Sequence, residues 1–121
     1  IYTLNNNEMS YSYRTSNIDK KSIIISVKLL KQTSNFDMNL LNLLNEKRKI
    51  SQPINQLSCG CIFKNPSGDY AAKLIDSAQL KGSRAGGIYI SHKHSNYFIN
   101  DGSGTYKDFL VLLRSPHILW I

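Results

Sequence analysis

The residues best suited to chemistry lie in a short loop centred on Cys61. Gly60 precedes this cysteine, and Ile62-Phe63-Lys64 follows it. A glycine allows the backbone to approach a ligand closely, and a nearby cation favours the reactive thiolate form of cysteine. Two interpretations are open on this spacing: a thiol at a ligand site, or a buried and inert cysteine, since cysteine is among the residue types most often fully buried.

A second group of candidates lies near the start of the chain, where Tyr11, Tyr13 and Arg14 occur within four residues. The guanidinium fork of arginine is well suited to a carboxylate or a phosphate. An exposed strand edge would carry the same residue types. The pattern is therefore compatible with an anion site and with a plain surface.

His92 and His94 are two residues apart, so an extended backbone would put both imidazoles on one side. Two imidazoles are the minimum for a bidentate metal site. A third ligand in a recognisable metal-binding pattern does not accompany them. We therefore predict a hydrogen-bonding or solvated pair and no metal.

Composition places the chain among folded domains. It has 121 residues, of which 41% are hydrophobic and 19% charged, which excludes both intrinsic disorder and a complete large enzyme. No apolar run approaches the roughly 20 residues that a membrane helix requires, so we predict no membrane association. The sequence starts at Ile1 without a signal-like segment, and we expect a piece of something longer.

The charge balance points to anionic partners. Fifteen Lys and Arg against eight Asp and Glu leave a net charge of +7, which attracts nucleic acids, phosphorylated metabolites or acidic lipids. The basic residues are dispersed rather than clustered, so we predict no nucleic-acid binding. Cys59 and Cys61 are separated by one glycine, which makes neither a disulfide framework nor a four-ligand zinc site, and a reducing cytoplasmic location follows.

The first half of the chain predicts one strand and one helix around a linker. Residues 22–30 are rich in β-branched side chains and alternate towards their end, which is typical of a strand. The polar residues 32–35 predict a linker. A helix of about three turns should follow, with Asn35 or Asp37 as its N-cap, basic residues in its last turn and Gln52-Pro53 as its end.

The second half predicts an irregular loop over residues 57–66, a helix, a hairpin and a last helix. Asp69 is the expected cap of a helix over residues 70–80, with Gly82 as its left-handed stop. Residues 88–91 and 96–100 should pair as a hairpin. Thr105 and Asp108 have the spacing of a capping box. The predicted fold class is α+β, with a small mixed or antiparallel sheet and helices.

Taken together, four blocks of the sequence resemble UDP-N-acetylenolpyruvoylglucosamine reductases. The Cys61 loop, together with the Leu-Lys-Gly that follows it in the chain, is the most specific of these blocks. The blocks occur in the family's order over most of residues 8–113. They are YRTS at 13–16, SCGCIFKNP at 58–66, LID at 74–76 with LKG at 80–82, and GGIYISHKHSNYFIN at 86–100.

The resemblance implies the C-terminal part of a bacterial flavoenzyme of peptidoglycan synthesis. In this family NADPH reduces FAD, and the flavin delivers hydride to C3 of the enolpyruvyl group while a protein acid protonates C2. By resemblance Cys61 is that acid, and Arg14 polarises the substrate carboxylate. Tyr13, Lys64, Asn65 and Lys81 match positions that contact the UDP-sugar. The full-length enzyme would be a monomer.

The resemblance also implies two domains and two departures from the family. Residues 1–32 would be the end of the FAD-binding domain and 33–121 the substrate-binding domain, with an atypical ending after about residue 113. Most of the family's FAD site precedes the matched region, so this chain alone should hold FAD poorly and be inactive. No Asp or Glu follows Asp108, so nothing here matches the family's C-terminal catalytic glutamate.

Two other functions compete with this one. The positive charge and the aromatic residues also fit a stand-alone module that binds anions or nucleic acid. Without its flavin segment and with its altered ending, the chain would also fit a non-functional remnant that folds poorly. Oligonucleotide binding with a steep salt dependence would favour the first alternative, and a cooperative thermal transition would exclude the second.

Overall fold

The computed structural model describes residues 1–30 and 37–115, which divide into two compact units, Ile1–Phe36 and Asp37–Ile121. Their assignment as a flavin-domain remnant and a substrate-binding domain stays a prediction. The linker predicted over residues 32–35 and the ending after residue 115 lie outside the described residues. Among the described residues, no helix combines the length and the apolar character needed to cross a bilayer.

The first unit is built around a short hairpin. A 3₁₀ turn, Asn6–Glu8, precedes β1 (Tyr11–Ser12) and β2 (Thr15–Ser16), which pair antiparallel. The Asn17 side chain closes the base of the hairpin, since it accepts from the Ser10 backbone N at 2.9 Å and donates to the Glu8 carbonyl at 2.8 Å.

The strand predicted over residues 22–30 is wrong. Over residues 1–30 and 37–115 this segment has no strand partner, and Ile23 and Leu29 are nearly fully exposed, at 88% and 87%. β-Branched residues favour a pleated, half-buried surface, but they form a strand only where another strand supplies backbone partners and packing.

The second unit begins with α1 (Met38–Ser51). Asp37 caps it as predicted, because its carboxylate accepts from the backbone N atoms of Asn39 and Leu40 at 2.9 and 3.1 Å. The helix ends one residue before Gln52-Pro53, also as predicted. Its apolar side chains remain exposed, and none of its residues is buried.

A three-stranded antiparallel sheet forms the centre of this unit. The predicted hairpin is present as β4 (Ile88–Ile90) and β5 (Phe98–Asn100), and an additional short strand, β3 (Arg84–Ala85), pairs with β4. The last helix, α3 (Tyr106–Leu113), starts with the predicted Thr105–Asp108 capping box. Sheet and helices enclose a core of Ile75, Leu80, Ile88, Ile90, Phe98 and Leu112. The α+β class is confirmed.

The helix α2 (Ala71–Ser77) starts one residue after its predicted start and ends three residues before its predicted end, and its predicted cap is wrong. Asp69 does not cap it. The Asn65 side chain accepts from the first helical N–H, that of Ala71, at 3.1 Å, while Asp69 binds Lys73. The helix has already ended at Ser77, and the first left-handed residue after it is Gln79, with a φ of +57°. Gly82 is also left-handed, with a φ of +78°, but it does not end the helix.

The ion pair between β3 and the turn after β5 predicts a pH dependence of stability. Arg84 lies 2.5 Å from the Asp101 carboxylate, and this hydrogen bond, with those from Ser103, lowers the pKa of Asp101 to about 2. A depressed carboxyl pKa stabilises the fold above the ordinary value of 3.8, and this contribution is lost as pH falls towards 2. Urea midpoints measured between pH 5 and pH 2 should fall less steeply for Asp101→Asn than for the parent chain, and parallel curves would contradict the prediction.

Candidate active site

The loop that carries Cys61 runs beside the end of the sheet and is held at two points. Leu57 pairs with Asn100, and Cys61 pairs with Tyr97, both as isolated antiparallel bridges. The Asn100 backbone N donates to the Leu57 carbonyl at 2.9 Å. The irregular segment predicted from the sequence is therefore docked on the residues that lead into and out of β5.

Asn96 fixes the loop directly after Cys61. The Ile62 N–H donates to the Asn96 carbonyl at 2.9 Å, and the Phe63 N–H donates to the Asn96 side-chain oxygen at 2.8 Å. The Asn96 amide nitrogen donates in return to the Phe63 carbonyl at 2.9 Å. Asn96 is only 2% exposed, so these bonds form away from water, where an unmade bond is costly. We call this set of three hydrogen bonds the Asn96 clamp.

Cys61 presents an exposed side chain on this docked backbone. The interpretation of Cys61 as a buried, inert cysteine is therefore wrong. Its neighbour Tyr97 is buried, and burial together with the nearby Cys61 sulfur, which shares a side-chain hydrogen bond with it, raises the pKa of Tyr97. The site thus combines an accessible thiol with a buried phenol.

His94 and Lys81 extend this cluster. The His94 ring packs edge-on against the Tyr97 ring, with centroids 4.8 Å apart, and its Nδ1 accepts from the Asn96 N–H at 3.3 Å. Burial lowers the pKa of His94, and the positive charge of Lys81 lowers it further. His94 is thus biased towards its neutral form, and Lys81 lies close enough to His94 for its charge to act on that ring.

The two histidines have different surroundings. The His92 ring packs over Gly82, where a Cβ atom would lie 2.5 Å from it, whereas His94 contacts Tyr97. Over residues 1–30 and 37–115, no group of three His, Cys, Asp or Glu side chains is arranged to hold a metal ion.

The other residues predicted to contact substrate in this unit differ in exposure and in the partners that their side chains already have. Lys64 is exposed on the loop. Lys81 is about one-third exposed and pairs with Asp76 at 2.8 Å. Asn65 uses its side-chain oxygen to cap α2. Asn65 therefore has a structural role besides its predicted contact with substrate. The roles of all three residues towards substrate stay predictions.

Tyr13 and Arg14 form the turn of the hairpin in the first unit. Arg14 has a φ of +52°, a left-handed backbone conformation that residues other than glycine rarely adopt. Such backbone strain is concentrated at functional positions. The roles of Tyr13 and Arg14, and the approach of Arg14 to Cys61, stay predictions.

Comparison with known proteins identifies the family. The family model for the C-terminal domain of UDP-N-acetylenolpyruvoylglucosamine reductase matches residues 52–116, more than half of the chain. The chain belongs to this reductase family. The match includes the Cys61 loop, the Asn96 clamp and the sheet that supports them.

Individual reductases agree with the family match. The UDP-N-acetylenolpyruvoylglucosamine reductase of Streptococcus uberis is 41% identical over 116 residues, which cover 93% of this chain and 38% of the relative. That of Streptococcus pyogenes serotype M5 is 40% identical over 116 residues, 39% of its length. The chain therefore spans less than two-fifths of the reductases it matches.

A solved reductase has the same fold over part of the chain. The crystal structure of the reductase from Thermus caldophilus (MurB) superposes with a TM-score of 0.59 and 42% identity, covering 64% of this chain and 28% of that one. The α+β unit described above is thus a fold seen in this family.

Proposed function

We propose that this chain is the C-terminal part of a cytoplasmic, monomeric reductase that converts UDP-N-acetylglucosamine enolpyruvate to UDP-N-acetylmuramate, with FAD and NADPH as cofactors. The observation that carries the proposal is the exposed Cys61 on a loop held by the Asn96 clamp, in a chain of this reductase family. A general acid must be both accessible to its substrate and fixed in position, and Cys61 meets both conditions.

The flavin is proposed to be held mainly by parts of the enzyme outside this chain. A cavity of about 360 Å³ in the second unit is lined mainly by apolar residues and by Cys59, not by Cys61. Pockets for drug-sized ligands measure about 300–1,000 Å³, and a flavin dinucleotide is larger than most such ligands. When bound elsewhere in the enzyme, the flavin supplies hydride. The part proposed for this chain is to hold the substrate and move the proton.

Protonation at C2 is the step assigned to Cys61. The Cys61 S–H bond breaks, its electron pair stays on sulfur, and the proton forms the new C–H bond at C2. Water then restores the thiol. A thiol carries an acidic proton, and donation of such a proton to an enolate-like carbon is ordinary general-acid catalysis.

The substrate is anionic, and the cations of this chain are proposed to hold it. Arg14 and Tyr13 would bind the carboxylate of the enolpyruvyl group, where a guanidinium stabilises the charge that develops during reduction. Lys64, Asn65 and Lys81 would contact the uridine diphosphate part. The exposure of Lys64 and the link between Lys81 and the Cys61 cluster support this division.

Exchange of this chain into a relative tests the function. The segment of the Streptococcus uberis reductase that matches this chain is replaced by it, and the resulting chimera is loaded with FAD. We expect sustained consumption of NADPH, beyond one equivalent per flavin, when UDP-N-acetylglucosamine enolpyruvate is present. A chimera that binds FAD and accepts electrons from NADPH, yet is not reoxidised by this substrate, would contradict the proposal.

A further inference from the structure

Tyr97 carries a hydroxyl group to which no function has been assigned so far. Tyr97 lies directly opposite Cys61 in an antiparallel bridge. Residues opposite each other in such a pair project to the same side, with Cβ atoms about 4.5–5.5 Å apart. The phenol and the thiol are therefore neighbours by backbone register.

The Tyr97 ring has little room to move. It is 9% exposed, and its backbone is held on both sides, since its N–H donates to the His94 carbonyl at 3.0 Å and its carbonyl accepts from Ser91 N at 2.9 Å. The His94 ring packs against it edge-on. This packing holds the Tyr97 side chain next to Cys61, and a side-chain hydrogen bond between the two contributes to the raised pKa of Tyr97.

We propose that the Tyr97 hydroxyl donates a hydrogen bond to the Cys61 sulfur and stabilises the thiolate that remains after Cys61 has given up its proton. The proposal rests on the proposed function, in which Cys61 is the acid. Tyr97 acts through Cys61 and does not itself lose a proton.

The physical basis is the difference between the two states of sulfur. A thiolate is a better hydrogen-bond acceptor than a thiol, so an O–H donor stabilises the product of proton transfer more than its starting state. Burial raises the pKa of Tyr97, which keeps the phenol protonated and able to donate. Because the ring is already held by its neighbours, the donor needs little reorganisation when the charge forms.

Among the residues that the structure describes, other charged or titratable groups lie near the pair. Arg48 on α1 is close enough to Tyr97 to oppose the rise of its pKa, His94 contacts the ring, and Lys81 is close to His94. All three remain in a Tyr97→Phe variant, which loses one oxygen atom and keeps the ring. The difference between the two proteins therefore isolates the hydroxyl.

The titration of Cys61 tests the hydrogen bond in the chain itself. Cys59→Ser is introduced first, so that Cys61 is the one remaining thiol, and the rate of alkylation by iodoacetamide is followed from pH 6 to pH 11. We expect the midpoint to lie at a higher pH in Tyr97→Phe than in the parent, because the thiolate loses a hydrogen-bond donor. The control is Tyr89→Phe, which removes the hydroxyl that Gln56 contacts at 3.1 Å and should leave the midpoint unchanged. Equal midpoints in the parent and Tyr97→Phe would overturn the proposal.

Half-reactions in the flavin-loaded chimera separate this proposal from the proposed function. Tyr97→Phe should slow reoxidation of the flavin by substrate by up to about tenfold and leave its reduction by NADPH unchanged. If Cys61→Ala slows reoxidation but Tyr97→Phe does not, the role of Tyr97 is wrong and the reductase assignment stands. If Cys61→Ala itself has no effect, the role assigned to Cys61, and with it that of Tyr97 in the reaction, is overturned.

Discussion

Replacement of Cys61 by alanine is expected to reduce reoxidation of the flavin by substrate by about 10²–10⁴-fold, the usual contribution of a general acid. Reduction of the flavin by NADPH should stay within about twofold of the parent, because no proton from Cys61 is needed there. Both half-reactions can be followed by stopped-flow absorbance of the flavin in the chimera. An equal loss in both would mean that Cys61 supports the structure of the site and is not its acid.

Cys61→Ser separates proton donation from thiol nucleophilicity. A serine hydroxyl can donate a proton at the same position, so substantial reoxidation should remain if donation is the task of Cys61. If the task were covalent attack by sulfur, the serine variant would be nearly as slow as the alanine variant. Cys59→Ser is the matched control, because Cys59 lines the apolar cavity and is not the residue that pairs with Tyr97. The rates of this variant should equal those of the parent.

Asn96→Ala is expected to destabilise the second unit by about 2–4 kcal/mol, because it leaves the Phe63 N–H and carbonyl without the partners that they have in the Asn96 clamp. The same change frees the loop after Cys61. Misplacement of a reacting group by about 1 Å can cost 10²-fold, so we expect reoxidation of the flavin to slow by about 10–100-fold. Urea unfolding and the two half-reactions measure the two effects.

Asn100→Ala is the matched control for the Asn96 clamp. The Asn100 side chain makes three hydrogen bonds, compared with two for the Asn96 side chain: two are accepted from Gly102 and Gly104 N–H groups and one is donated to the Gly104 carbonyl. Its loss should destabilise the unit by a similar amount without slowing reoxidation at temperatures where the fold is intact. Equal slowing in both variants would show that loss of stability, not placement of Cys61, explains the Asn96 result. Asn96→Asp keeps the acceptor for Phe63 N–H and should restore part of the rate.

The elements that the sequence predicts well are those whose causes are local. Asp37 caps α1 through N–H groups two and three residues away, and the Thr105–Asp108 box closes over four residues. Such contacts depend on spacing alone. The hairpin is predictable for a similar reason, since its strands are rich in β-branched and aromatic residues and are joined by a short connection.

The errors arise where a distant residue decides the outcome. Residues 22–30 have strand-forming side chains, but a strand needs a partner that propensity cannot supply. At α2, the helix N–H is capped by Asn65, six residues before Ala71, because the turn folds that side chain back. Asp69 is nearer in sequence and binds Lys73 instead.

The candidate site also has one part that the sequence predicts and one part that it does not. The glycine before Cys61 and the motif around it mark this cysteine as a candidate, and the resemblance to the reductases suggests its role. The Asn96 clamp joins residues 33 apart, and only the fold brings them together. One signal was available in the sequence: a polar Asn96 directly before an apolar strand, a position where a buried amide must have hydrogen-bond partners.

Binding of the UDP-sugar at the Cys61 loop can be followed by the amide shifts of the ¹⁵N-labelled chain. On addition of UDP-N-acetylglucosamine enolpyruvate, we expect shifts for Cys61, Lys64, Asn65 and Lys81. UDP-N-acetylglucosamine should shift the last three and leave Cys61 nearly unchanged. Signals from the loop and from Lys81 that stay in place at saturating concentrations of the enolpyruvate would contradict binding at this loop.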